Sequence, residues 1–167
     1  VALALLRDGF HEQSQGGQVK LQHDGSPQLD YPISRYVLDG ARRSLLSMAE
    51  IQFAAGAKKV VPQHELAEYY TSWEQAKAAL TTLPIEPHLT GFGSAHIMGG
   101  CQLGGTEPQG VTRPDGVHWQ LDNLSIHDGS LFPTSIGANP QLSVYGLSTR
   151  LATGIAKRLS GKDVELV

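Results

Sequence analysis

The sequence predicts a mixed α/β fold, in which an antiparallel sheet with helices on one face covers about residues 16 to 88. The first observation in its favour is an early stretch of alternating apolar and polar residues around an Asp-Gly turn. The second is a set of three segments whose apolar residues recur at helical spacing. With 40% hydrophobic residues in a chain of 167, a core can form without disulfides.

The chain begins with VALALLRDGF, an apolar run without the basic residues and cleavage site of a secretory signal. We interpret it as the tail of a helix. Because the first residue is Val1 rather than methionine, a polypeptide boundary is expected there.

The next segment, GGQVKLQHDGSPQLDYPIS, is typical of a β-hairpin. Its turn is Asp24-Gly25, and strands are predicted near residues 18–22 and 28–31. A short strand is also expected in AKKVVP, where Pro62 would end it because proline has no N–H for the ladder.

Two amphipathic helices are predicted in the first half of the chain. Ser34 would cap the first, which would end at Gly56 in a left-handed conformation. Thr71 or Ser72 would cap the second, within TSWEQAKAALTTL, before Pro84 and Pro87 interrupt the chain. The apolar positions of the first helix are Val37, Leu38, Ala41, Leu45, Met48, Ala49 and Phe53.

Beyond Pro87 the sequence becomes glycine-rich and loop-like. A buried strand is predicted at residues 124–127, followed by a tight Asp128-Gly129 turn. A last helix is expected to begin at Asn139 as the N-cap, with Pro140 at the first helical position. Its apolar face would comprise Leu142, Leu147, Leu151, Ile155 and Leu159, and Lys157 and Arg158 would lie in its last turn.

Charge and composition exclude several partners. The net charge is −3 and the basic residues are scattered, so neither a nucleic acid nor an anionic membrane surface is expected as a partner. No apolar run approaches the ~20 residues of a membrane span. A single cysteine, Cys101, forms no internal disulfide, which leaves both a cytoplasmic and a periplasmic location open.

The stretch GFGSAHIMGGCQLGG, residues 91–105, carries the most specific chemistry. His96 and Cys101 are too few ligands for zinc, so no metal site is expected. The stretch also lacks the Walker, dinucleotide-binding and nucleophile-elbow patterns. Two interpretations stay open: a core histidine bonded to a backbone carbonyl, or a histidine presented by backbone that lets a large, planar ligand approach.

A second constellation is HDGSLFPTSIGANPQLSVYGLSTR. The free N–H groups and positive dipole end at its helix start would stabilise negative charge on a bound group. Asn139 is expected to cap this helix, and Asp128 is either a solvated turn residue or a ligand contact.

Taken in order, SAHIMGGCQLGG and GVHWQLDNLSIHDGSLFPTSIGANPQLSVYGLSTRLATGIA resemble the C-terminal part of the glucose–methanol–choline (GMC) flavin oxidoreductases, and are similar to the long-chain alcohol oxidases and dehydrogenases. The resemblance covers about residues 91 to 160 and is looser over residues 16 to 88. It implies two parts: residues 1–90 in an antiparallel-sheet substrate domain, and residues 91–167 supplying the C-terminal strand and helix of a doubly wound FAD-binding domain.

The resemblance also implies site residues for an FAD-dependent oxidation of an alcohol. His96 would be the base near flavin N5, and Asn139 would hydrogen-bond the substrate oxygen. Asp128 and Gly129 would lie along the ribityl and pyrophosphate region of FAD. The resemblance places Pro140, Gln141 and Leu142 at the pyrimidine edge of the flavin and implies that Asn139 also contacts the cofactor.

Nothing in the chain matches the Gly-x-Gly-x-x-Gly motif with which that family binds the ADP half of FAD. The expected partner is therefore an N-terminal FAD-binding portion, on the same precursor or on another chain. Without it, the chain is expected not to hold FAD tightly. Two alternatives stay open: a non-catalytic partner or binding module that keeps the fold, and a structural domain without a ligand.

The substrate is expected to be a primary, apolar alcohol. Its predicted contacts are apolar residues that flank the site and that could equally belong to the core: Ile97, Met98, Phe132 and Ile136.

Overall fold

The structure, a computed structural model, describes residues 1–162. Contacts between Cα atoms divide the chain into two compact units, Val1–Gly93 and a second that begins at Ser94. The mixed composition of helices and a small antiparallel sheet agrees with the predicted fold class. The doubly wound FAD-binding domain, and the substrate and flavin roles of the two segments, stay predictions.

The predicted hairpin is present. Strand β1, Gln18–Leu21, pairs with β2, Pro27–Asp30, in antiparallel register. Gly25 has a φ of 81°, which the turn requires and which glycine adopts without strain. The expected antiparallel sheet with helices on one face is only a two-stranded hairpin among residues 1–162. Both of its strands are exposed along their whole length.

The predicted helix at the start of the chain is wrong, because residues 1–9 have no regular secondary structure. Leu3 and Leu5 are exposed. A segment this short is not stable as a helix in water unless packing stabilises an amphipathic face. Its first seven residues are all exposed, so that stabilisation is absent.

Helix α1, Arg35–Ala54, has the bounds that its caps predict. The Ser34 side chain accepts a hydrogen bond from the Val37 N–H, 3.4 Å away. Gly56 follows the helix with a φ of 90°. Among the predicted apolar positions, the buried ones are Val37, Ala41, Leu45 and Ala49.

Helix α2, Trp73–Thr82, packs against α1. Ser72, one of the two predicted caps, accepts from the Gln75 N–H at 3.3 Å. Arg42 of α1 donates to the carbonyls of Leu80 and Thr81 at 2.7 and 2.9 Å, which occupies acceptors left free at the end of α2. The buried core between the helices comprises Ala41, Leu45, Ala49, Val60, Ala76, Leu80 and Ile85.

The strand predicted in AKKVVP is reduced to a single bridge. Val60 and Tyr70 exchange two backbone hydrogen bonds of 2.9 Å each. Pro62 follows two residues later and has no N–H with which to extend the pairing.

In the second unit, isolated bridges and backbone hydrogen bonds hold most of the chain. Its regular elements within the described residues are short 3₁₀ turns at Glu107–Gln109 and Gly129–Leu131 and helix α3, Gln141–Ser160. The most buried side chains are Thr112, Val117, Leu131 and Leu151.

The buried strand predicted at residues 124–127 is wrong. It is reduced to a bridge between Val117 and Ser125, and Leu124 is 41% exposed. The backbone makes only separate bonds here, from His118 N–H to Leu124 O and from Ile126 N–H to Gly116 O, both 2.9 Å. An apolar run alone does not supply the continuous partner that a strand needs.

Helix α3 differs from its prediction at its start and along its face. The cap is Pro140 rather than Asn139, because the Pro140 carbonyl accepts the first helical bond, from the Val144 N–H at 2.8 Å. Leu151 is buried, as predicted, but Leu142 is 82% exposed and Leu159 is also exposed. Lys157 and Arg158 lie in the last turn as expected. No helix within residues 1–162 has the length and apolar character to cross a membrane.

Candidate functional site

The segment that carries His96 runs beside the 3₁₀ turn at Gly129–Leu131. Cys101 N–H donates to Ser130 O and Leu103 N–H donates to Leu131 O, both at 3.0 Å. His96 itself is half-buried. Its side chain has no hydrogen-bond partner among residues 1–162, which disagrees with the interpretation of a core histidine bonded to a carbonyl.

Asp128 shapes the turn that follows. Its Oδ1 accepts from the Ser130 hydroxyl at 2.5 Å and from the Ser130 N–H at 2.8 Å. These hydrogen bonds, with a smaller contribution from His127, lower the pKa of Asp128 below its usual value. Both bonds use one oxygen, so Oδ2 remains for solvent or a ligand.

Gly129 lies where three segments meet. A Cβ at this position would be 3.0 Å from Ile97 O and 3.7 Å from Val144 Cγ2 of α3. Ser148 of α3 donates to His127 O at 2.5 Å, which fixes the helix to the same turn. The segments of His96, of Asp128-Gly129 and of the start of α3 therefore converge, and a side chain at Gly129 would crowd the backbone at this point.

The start of α3 has backbone donors without acceptors. The N–H groups of Gln141, Leu142 and Ser143 make no hydrogen bond within the described part of the chain, and Pro140 has no N–H and no capping side chain. Asn139 is exposed, and its side chain has no partner among those residues either. The expectation that Asn139 caps α3 is therefore wrong. Because the helix start is uncapped, it can hydrogen-bond an acceptor or stabilise negative charge.

Two further groups in the second unit were not predicted. Trp119 Nε1 and His127 Nε2 are buried and have no hydrogen-bond partner in the described residues. The indication in the sequence was the position of His127 directly before Asp128, at the end of an apolar segment. Buried polar atoms without a partner are uncommon and call for an explanation.

The apolar residues predicted to flank the site differ in their exposure to solvent. Ile97 is 74% exposed, so it is not part of the core. Met98, Phe132 and Ile136 are half-buried. Within residues 1–162, no group of three or more His, Cys, Asp or Glu side chains could hold a metal ion.

Comparison with known proteins gives one family. The model described as GMC oxidoreductase, for the C-terminal domain of that family, matches residues 12–148. The matched range includes His96, Asp128, Asn139 and the first turns of α3.

Several curated proteins are similar to the chain. Two are long-chain-alcohol oxidases of Arabidopsis thaliana: one is 26% identical over 86% of this chain and 21% of its own length, and the other is 32% identical over 87% and 20%. A cholesterol oxidase of Acinetobacter baumannii is 33% identical over 34% of this chain and 10% of its own length. The chain spans about a fifth of the length of each of the two long-chain-alcohol oxidases.

Proposed function

This chain belongs to the GMC oxidoreductase family, and we propose from this premise that it supplies the base and part of the cofactor surface of an FAD-dependent alcohol oxidoreductase. The observation that carries the proposal is the convergence at Gly129 of the His96 segment, the Asp128 turn and the uncapped start of α3. The similarity to two long-chain-alcohol oxidases supports an alcohol as the substrate.

The residues present fit a flavin nucleotide. A ring with carbonyl oxygens along one edge matches the three free N–H groups of Gln141, Leu142 and Ser143. The absent side chain at Gly129 lets the backbone of Ile97 approach the turn, and Asp128 Oδ2 is a free acceptor for a ribityl hydroxyl. When bound, the flavin supplies the acceptor for the hydride.

His96 acts as the general base. Its imidazole has no protein partner among the described residues and accepts the proton of the alcohol hydroxyl as the C–H bond of the carbinol carbon breaks. A primary alcohol thereby loses one proton and one hydride and becomes an aldehyde. A half-buried position suits this role, because it limits water while leaving the ring accessible to a substrate.

Asn139 donates its side-chain amide to the substrate oxygen, and its freedom from capping leaves that amide available. The positive end of α3 stabilises negative charge that develops beside it. Ile97, exposed next to His96, provides an apolar contact for the substrate chain, which favours an apolar primary alcohol.

The remaining part of the FAD site is proposed to lie on an N-terminal portion of the same precursor or on another chain. The described residues offer no dinucleotide-binding glycine motif for the pyrophosphate of the ADP half.

The test is His96→Ala in the full-length flavoprotein, with His23→Ala as a matched control in an exposed turn. We expect kcat for 1-alkanol oxidation to fall at least about 100-fold in His96→Ala and to be unchanged in the control. Flavin absorbance per protein should remain the same in both, since His96 is not proposed to hold the cofactor. An unchanged rate in His96→Ala would exclude its role as base, and a protein purified without flavin would favour a non-catalytic module.

A further inference from the structure

One face of α3 packs against the backbone of the second unit. A Cβ at Gly129 would lie 3.7 Å from Val144 Cγ2. A Cβ at Gly116 would lie 3.0 and 3.6 Å from the two methyl groups of Leu151. Val144, Ser148 and Leu151 are four and three residues apart, so they lie on the same side of the helix. Ser148 is therefore a polar residue within a packed apolar stripe.

The Ser148 hydroxyl forms a hydrogen bond outside its own helix. It donates to His127 O at 2.5 Å, across 21 positions of the chain. Two other hydroxyl side chains of α3, those of Thr153 and Ser160, donate to the carbonyl four residues earlier, at 2.8 and 2.7 Å. A bond to that carbonyl is common for a hydroxyl inside a helix. Ser148 differs from both, because its bond connects α3 to another segment.

The acceptor of this bond lies at the start of the turn that shapes the candidate site. His127 directly precedes Asp128, whose side chain caps the 3₁₀ turn at Gly129–Leu131. Ser148 lies five to seven residues beyond the free N–H groups at positions 141–143, which is about one and a half to two helical turns. One hydrogen bond thus joins the helix that carries those N–H groups to the turn that carries Asp128.

A hydrogen bond restrains this arrangement more narrowly than apolar contact does. The contacts of Val144 and Leu151 are non-directional and permit small rotations and shifts of the helix. A bond from a hydroxyl to a carbonyl requires a short distance and a suitable angle, so it restrains both the rotation of α3 and its position along the axis. The bond is partly buried, so removal of the hydroxyl leaves the His127 carbonyl without this donor in a partly dry environment.

We propose that Ser148 is a positioning residue for the flavin, an inference that rests on the proposed function. It acts through α3, whose free N–H groups and positive dipole end the proposed function assigns to the ring edge that gains negative charge on reduction. A displacement of the helix start weakens the stabilisation of reduced flavin more than that of oxidised flavin. Ser148 therefore raises the reduction potential of the flavin without contacting it.

The test is the two-electron midpoint potential of the flavin in the full-length flavoprotein, measured by equilibration with a reference dye. In Ser148→Ala, we expect the ratio of reduced to oxidised flavin at a fixed potential to fall about tenfold, which is a shift of about 30 mV. Ser148→Thr keeps the hydroxyl and should retain the wild-type potential. The matched control is Ser160→Ala, the same substitution at a hydroxyl that bonds within the helix, and it should leave the potential unchanged.

Ser148→Cys gives a second measurement, because a thiol is a weaker donor than a hydroxyl and should give an intermediate potential. Helical circular dichroism of the same samples should be unchanged, since alanine is the most favourable residue within a helix. An unchanged potential in Ser148→Ala, a fall that Ser148→Thr shares, or an equal fall in Ser160→Ala would each overturn the inference and leave the proposed function intact. A wild-type protein without flavin would overturn both, so the two failures are distinguishable.

Discussion

The tetrapeptide His-Asp-Gly-Ser occurs twice, at residues 23–26 in the hairpin and at residues 127–130 in the candidate site. In the hairpin, Asp24 Oδ1 accepts from Ser26 N–H at 2.9 Å and from its hydroxyl at 2.6 Å. Asp128 makes the equivalent bonds to Ser130 at 2.8 and 2.5 Å. The same four residues thus form the same local hydrogen bonds in two different surroundings.

The surroundings decide what each copy does. Gly25 has a positive φ and nothing within 4 Å of a Cβ, whereas Gly129 has no positive φ and a Cβ there would lie 3.0 Å from Ile97 O. His23 is exposed, whereas His127 Nε2 is buried and unpaired. Local sequence therefore specifies the turn, while packing determines whether its glycine and histidine matter to the rest of the unit.

The largest expected difference between the two copies is in the loss of stability when alanine replaces Gly129 or Gly25. Gly129→Ala places a Cβ 3.0 Å from Ile97 O and forces that carbonyl to shift, and we expect it to lower stability by about 1–3 kcal/mol, as overpacking does. Gly25→Ala strains only the hairpin turn, whose strands are exposed on both faces. Its cost should appear as faster amide hydrogen exchange in β1 and β2, without a lower global thermal midpoint.

Both variants can be measured by thermal denaturation and hydrogen exchange on the same preparation. Equal losses of thermal midpoint in the two variants would show that the contact at Gly129 does not constrain the second unit. A flavin content that falls only in Gly129→Ala would further support the proposed cofactor surface.

A smaller difference is expected when the turn aspartates are replaced by alanine. Asp128→Ala removes the cap of the 3₁₀ turn that contacts the His96 segment. We expect a loss of about 0.5 kcal/mol, the lower end of the usual range for such caps, because the side chain is exposed. Asp24→Ala should leave the denaturant midpoint unchanged, because the hairpin buries neither strand. A greater loss of stability in Asp24→Ala than in Asp128→Ala would contradict this expectation.

The first unit was largely predictable because its helices have strong local determinants. Ser34, Ser72 and Gly56 specify helix ends by chemistry that acts within a few residues, and periodic apolar positions specify the buried face. The helix expected at residues 1–10 failed because an apolar run says nothing about whether another element lies beside it.

The second unit was less predictable because its structure depends on contacts distant in sequence. The 124–127 segment has an apolar composition, but its pairing with residues 116–118 is only intermittent. At α3, the sequence Asn-Pro matched a common cap pattern, yet the observed first bond begins one residue later. The helical spacing of Leu142 and Leu159 could not show that no described residue covers them.

For the site, the sequence offered candidate residues, which stay predictions, but it did not show which of their segments are neighbours in space. His96 and Asp128 are 32 positions apart in the chain, and their segments become neighbours through the backbone bonds between residues 101–103 and 130–131 and the close approach of Gly129 to Ile97 O. The unpaired nitrogens of Trp119 and His127 depend on burial, which no pattern in the sequence specifies. The catalytic roles of His96 and Asn139 stay proposals, and the His96→Ala experiment tests that of His96.

The smallest expected difference is in the acid titration of the two aspartates. Hydrogen bonds from Ser26 and from Ser130 lower the pKa of Asp24 and Asp128 below 3.8, so each ionised carboxylate stabilises its own turn, and this local stabilisation is fully present above about pH 4. That contribution is lost as the pH falls through the lowered pKa of the folded state. Of the two aspartates, only Asp128 has a contribution from the neighbouring histidine, His127.

Carboxyl-carbon NMR titration of His127→Leu and His23→Leu isolates that contribution. The pKa of Asp128 should rise slightly in His127→Leu but remain below 3.8, because the Ser130 bonds are the larger cause. The pKa of Asp24 should not change in His23→Leu, since its lowering is due to Ser26 and its own backbone. A shift of the same size at both aspartates would mean that an adjacent imidazole acts alike in either setting, and the buried position of His127 would then have no electrostatic consequence for the turn.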